Sequence, residues 1–85
     1  MDEVFTCDEP DDVEAKYANC FRVGYNTFEF FIDFGQVTEG KRARVHTRII
    51  SNPDSAKALQ IALQQSLAEY ESSFGVTNPS KAEPN

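Results

Sequence analysis

Between Cys20 and Phe34 apolar and polar positions alternate. In CFRVGY, Phe21, Val23 and Tyr25 fall on one side and Cys20 and Arg22 on the other; in FEFFIDF, Phe28, Phe30, Ile32 and Phe34 alternate with Glu29, Phe31 and Asp33. A period of two is that of a β-strand with one face turned to a core. Taking Asn26-Thr27 as a two-residue hairpin loop sets Tyr25 opposite Phe28, Val23 opposite Phe30 and Phe21 opposite Ile32. Loop length and apolar pattern then agree on one register. GQVTEG reads as the next turn, with Gly35 and Gly40 supplying backbone freedom. Arg42 to Ile50 follows as a third strand, with Ala43, Val45, Thr47 and Ile49 facing the core and Arg42, Arg44, His46 and Arg48 sharing the opposite face.

The period then lengthens. Ser51-Asn52-Pro53-Asp54 is a helix start: Ser51 or Asn52 caps, Pro53 suits the first helical position, and Asp54 complements the positive end of the dipole. Ala56, Leu59, Leu63, Leu67 (or Ser66), Tyr70 and Phe74 recur at spacings of three and four, and Gly75 ends the run. The pattern predicts an α+β domain, an antiparallel three-stranded meander packed against one long C-terminal helix. Val4 to Cys7 are available as a short fourth strand. Ala58, Ile61 and Ala62 lie off the main stripe, and Phe31 lies on the polar side of the sheet, so a second contact surface is expected. A homodimer would bury it, because one helix on three strands makes a thin core and leaves two sheet edges unpaired.

Composition sets the outer limits. At 85 residues the chain holds one domain, expected over residues 16–76, between an acidic N-terminal tail, 1–15, and a C-terminal tail, 77–85, both lacking the apolar content to order themselves. Of its 14 acids, seven (Asp2, Glu3, Asp8, Glu9, Asp11, Asp12 and Glu14) lie in the first tail with no base, so the formal charge of -6 belongs to that tail. The remainder, with eight bases against seven acids, carries about +1. No run of apolar residues is long enough to span a membrane. The start of the chain is acidic where a signal peptide is basic, and a cytoplasmic location is expected, with Cys7 and Cys20 reduced.

Four segments carry a family likeness: Tyr17-Ala18-Asn19-Cys20-Phe21, Glu29-Phe30-Phe31-Ile32-Asp33-Phe34-Gly35, Arg48-Ile49-Ile50-Ser51-Asn52-Pro53, and Leu63 to Gly75 with its Tyr70-Glu71-Ser72-Ser73-Phe74-Gly75 ending. Over residues 17 to 75 the chain resembles the bacterial and archaeal family known as domain of unknown function 3467. That resemblance implies no catalytic or binding residues. In element order alone, a meander closed by a Pro-initiated helix looks like the single-strand-binding coactivators of the positive-cofactor-four type, an analogy of topology from which function does not follow.

Candidate chemistry is sparse. His46 is the only histidine and has no nucleophile motif to serve; Cys20 near Asp33 and Arg22 reads as a small half-buried residue rather than a thiolate. Cys7, Cys20 and His46 lack metal-ligand spacing, and no glycine run cradles phosphate. Neither enzymatic activity, cofactor, metal nor small-molecule substrate is expected. Arg22 can pair across strands with Glu29 and Asp33. Lys41, Arg42, Arg44 and Arg48 exceed the acids beside them, so Arg22, Phe31, Lys41, Arg42, Arg44, His46 and Arg48 form a candidate partner face, with Tyr17 as a further aromatic. Its expected partner is an acidic protein segment; single-stranded nucleic acid, which is bound by basic grooves beside stacking aromatics, is the alternative, and a merely solvated charged face is the bland one. The acidic residues 1 to 14 can fold back over that face and compete with such a ligand. The expected function is non-enzymatic binding, by a homodimeric interaction or assembly module.

Overall fold

The computed structural model describes residues 7–8, 12–40 and 42–79. Three strands, β1 (Cys20–Tyr25), β2 (Phe30–Val37) and β3 (Ala43–Ser51), form an antiparallel sheet in the order β1-β2-β3, followed by one helix, α1 (Pro53–Phe74). The class is α+β, as the pattern predicts. Of the suggested fourth strand, Val4 to Thr6 lie outside the described residues.

The first hairpin differs from the expected one. Its loop has four residues, Asn26 to Glu29, and the register is Tyr25 opposite Phe30, Val23 opposite Ile32 and Phe21 opposite Phe34. The cause is Asn26, whose Oδ1 accepts the backbone N–H groups of Phe28 (2.8 Å) and Glu29 (2.9 Å) while its own N–H donates to the Glu29 carbonyl (3.0 Å). An asparagine side chain that mimics a backbone turn stabilises the wider loop. Because the shift is by two residues, every side chain keeps its face. Phe21 meets Phe34 edge-on and Tyr25 stacks on Phe30, each pair 5.6 Å between ring centres.

The second departure changes the faces. Thr47 lies opposite Phe34, yet Val45 lies opposite Gly35, so His46 is an extra residue, a bulge in β3. Beyond it Arg44 pairs with Gln36 and Ala43 with Val37. Directly opposed residues share a face, so Ala43 and Val45 go to the side of Asp33 and Arg48, and Arg44 goes to the side of Phe34. This reverses the assignment expected from uninterrupted alternation. The bulge requires glycine opposite it: a Cβ on the buried Gly35 would fall on the Arg44 carbonyl oxygen, 3.0 Å from its carbon and 3.1 Å from the Val45 Cα.

The helix starts as its sequence dictates. Asn52 is the cap, accepting the Ser55 N–H at 2.7 Å, and Pro53 opens the first turn. Gly75 ends it at a φ of 107°, where an L side chain is strained. Beyond the end, the Thr77 N–H (3.1 Å) and hydroxyl donate to the Glu71 carboxylate, which holds that carboxyl below its usual pKa.

Packing of these elements within one chain leaves no apolar side chain buried among the described residues. On the sheet, Phe21, Val23 and Ile49 remain 42%, 44% and 46% exposed; on the helix, Leu59, Leu63, Leu67 and Tyr70 remain 43%, 55%, 50% and 49% exposed. Both apolar faces that the pattern assigns to a core are thus present and half uncovered. Ile61, at 46%, and its neighbours Ala58 and Ala62 are exposed as well.

Candidate partner face

One charged side chain is buried among the described residues: Asp33, 5% exposed, in the middle of the central strand. The register sets Arg22 of β1 opposite it on one side and Arg48 of β3 on the other. Both arginines reach inward. Arg48 binds the carboxylate in bidentate fashion, Nε to Oδ1 at 2.6 Å and Nη2 to Oδ2 at 3.0 Å. Arg22 approaches Oδ2 with Nη2 at 2.9 Å and Nε at 3.3 Å. Charge-assisted forks of this kind fix direction as well as distance. First the hydrogen bonds of Arg48 and then those of Arg22 hold the Asp33 carboxyl well below the usual carboxylate range, against an opposing desolvation, and Asp33 in turn raises the pKa of Arg48.

The trio carries +1 in total. Each guanidinium engages Asp33 through its Nε and Nη2 and not through Nη1, and the two arginine side chains are 54% and 57% exposed. Phe31 and Gly24 join them around an open depression of about 450 Å³. The arrangement is chemically suited to one oxyanion, a carboxylate or phosphate oxygen, held between two oriented donors beside an aromatic ring.

The structure divides the remainder of the expected basic row. Arg22, Phe31 and Arg48 come together around Asp33. Arg44 stands on the opposite side of the sheet, Arg42 precedes β3, and neither has an acid within ion-pair distance among the described residues. Lys41 lies outside the described residues. His46, the bulged residue, is turned toward the chain that leads into β1: its Nε2 is 2.9 Å from the Tyr17 carbonyl and its Nδ1 2.7 Å from the Thr47 hydroxyl. A carbonyl only accepts, so Nε2 donates to Tyr17, and in the Nε2–H tautomer Nδ1 accepts a hydrogen bond from the Thr47 hydroxyl. Glu14, Lys16, Ala18, Phe34, His46 and Thr47 line a second, smaller depression on that side. Asn19 secures the same segment, its N–H donating to the Gly35 carbonyl (2.9 Å) and its Oδ1 accepting from the Val37 N–H (2.8 Å).

Sequence reasoning found Arg22 with Asp33 but missed Arg48 as the second partner, and it offered Glu29, which instead sits in the turn 3.5 Å from the Asn26 side-chain amide. The missing signal was register: the four-residue loop sets Arg22 opposite Asp33, and the separate β2–β3 pairing sets Arg48 opposite it on the other side. Cys7 and Cys20 are both free thiols. No group of three or more metal-ligating side chains occurs among the described residues, and no helix among them is long and apolar enough to cross a membrane. The chain belongs to the family described as "Protein of unknown function (DUF3467)", which it matches over residues 5–78. No curated protein and no solved structure matches it.

Proposed function

We propose, from membership of a family that brings no assigned activity with it, that this domain is a non-enzymatic binding module acting as a homodimer, a cytoplasmic unit of protein interaction or assembly. The observation that carries the reading is the absence of any buried apolar side chain among the described residues, beside two half-exposed apolar faces in the same chain. Exposed apolar surface on this scale marks an association site. The Asp33-centred arginine pair supplies the polar half, a preorganised recess for an acidic side chain of a partner protein. The engagement of both His46 ring nitrogens with neighbouring groups favours a structural over a catalytic histidine. Free thiols at Cys7 and Cys20 suit a reducing compartment.

Light scattering on the purified protein at micromolar concentration tests the reading. A mass of twice the 9.6 kDa chain is expected, and a monomer overturns it.

A second reading has its own support. Arg42 and Arg44, without acidic partners among the described residues, are suited to phosphate, and single-stranded nucleic acid is the alternative ligand. Titration with a labelled oligonucleotide at two salt concentrations separates the two, because phosphate contacts impose a steep loss of affinity with salt. Absence of binding at low salt removes the nucleic-acid reading and leaves the protein one.

A further inference from the structure

We infer that two copies associate by exchanging helices, α1 of each lying along the Phe21, Val23, Phe34 and Ile49 face of the other's sheet. This rests on the dimer reading and specifies how the dimer is built. The constraint lies at the junction between β3 and α1. One residue, Asn52, separates Ser51 from Pro53, whereas connections that return a helix onto its own sheet commonly use two to six residues, by a rough survey. Asn52 has no slack to give: its backbone is extended, its carbonyl accepts the Ala56 N–H at 2.9 Å, and its side chain caps Ser55 at 2.7 Å. Pro53 then fixes its own φ and restricts Asn52 further. The helix therefore follows the direction the junction imposes, and none of its residues is buried against its own chain. Short hinges of this kind are what favours exchange of an element between protomers.

The dimensions fit. At about 1.5 Å per residue the 22 residues of α1 extend roughly 33 Å, and at about 3.3 Å the eight of β2 extend roughly 26 Å, so a partner's helix spans the sheet. The exposure fits as well: Phe21, Val23 and Ile49 on the sheet and Leu59, Leu63, Leu67 and Tyr70 on the helix are each about half exposed, two apolar strips of matching extent. A second copy is the fitting occupant because each chain carries both halves of the contact. One two-fold operation covers both sheets and both helices, whereas an unrelated partner seated on the sheet would leave Leu59, Leu63 and Leu67 bare.

Two experiments decide it. In a dimer co-refolded from isotope-labelled and unlabelled chains, isotope-filtered NMR should show contacts between the Leu63 and Leu67 methyls of one chain and the Phe21 and Phe34 rings of the other. A dimer whose intermolecular contacts run only from helix to helix or from sheet to sheet overturns the exchange and leaves the dimer standing; a monomer overturns both. In the second, a flexible Gly/Ser insertion of about six residues between Ser51 and Asn52 should let α1 close on its own sheet. The dimer dissociation constant should rise about tenfold or more, because closure through a short flexible linker competes at millimolar effective concentration. An unchanged dissociation constant for the insertion variant counts against exchange.

Discussion

Replacing Gly35 by alanine tests the bulge, the feature that organises both sides of the sheet. The added Cβ would overlap the Arg44 carbonyl oxygen and stand 3.0 Å from its carbon and 3.1 Å from the Val45 Cα. All three are backbone atoms, so no side-chain rotation relieves the clash; β2 and β3 must part where Gly35 and Val45 face each other. Overpacking of this type costs about 1–3 kcal/mol, and a site that yields only by backbone movement belongs at the upper end. For a domain of this size each kcal/mol lowers Tm by about 4–8 °C, so a loss of about 10 °C or more is expected. Thermal unfolding followed by circular dichroism at fixed protein concentration measures it, fixed because the midpoint of an associating protein moves with concentration. Gly24→Ala is the matched control: it lies in a neighbouring strand of the same sheet, and its Cβ would meet nothing within 4 Å. It should be neutral or stabilising by up to about 1 kcal/mol through the unfolded state. A Gly35→Ala midpoint within about 2 °C of the parent, or an equal loss of stability in the two variants, would refute the steric requirement for glycine at the bulge.

Three further outcomes are expected. Asp33 has a folded pKa depressed by Arg48 and Arg22, so its contribution to stability is complete above its unfolded value of about 3.9 and disappears as pH falls below it; Asp33→Asn should melt lower at neutral pH and show a flatter decline of Tm between there and about pH 2. Removing the Asn52 cap with Asn52→Ala should cost about 1 kcal/mol, read as a lower midpoint in urea with an unchanged slope. Deleting residues 1–14, which hold seven acids, should strengthen binding of an acidic peptide to the arginine face, most at low salt; equal affinities with and without the segment would dismiss competition by the tail.

What was legible in the sequence was periodic, and what was not was local. Phe21, Val23, Phe30, Ile32 and Phe34 announce a shared face by alternation, and the Leu59, Leu63, Leu67 and Tyr70 spacing announces a helix whose start at Asn52-Pro53 and stop at Gly75 are residue-specific signals. The loop at Asn26 was misread because one side chain accepting two N–H groups widens a turn that flanking hydrophobicity alone makes look tighter. Alternation has no means of reporting a single inserted residue, so His46 passed for an ordinary strand position. That one residue divided the basic row, sending Arg44 across the sheet and leaving Arg48 to join Arg22 on Asp33. The off-stripe Ala58, Ile61, Ala62 and Phe31 pointed toward association, but Leu59, Leu63, Leu67 and Tyr70 of the main stripe proved exposed as well. Periodicity identifies which residues seek a core and is silent on whose core it is.

The His46 bulge has a further consequence for solubility. β3 is a nine-residue edge strand bearing Val45, Ile49 and Ile50, each about half exposed. A regular edge of that length and composition is a template on which further strands can add without limit, the first step of aggregation. An extra residue near its middle kinks the strand and throws its outward amides out of step, and Arg44 and Arg48 on either side add charge that a stacking neighbour would have to bury. The insertion that costs the protein a continuous arginine row also denies its edge to uncontrolled growth.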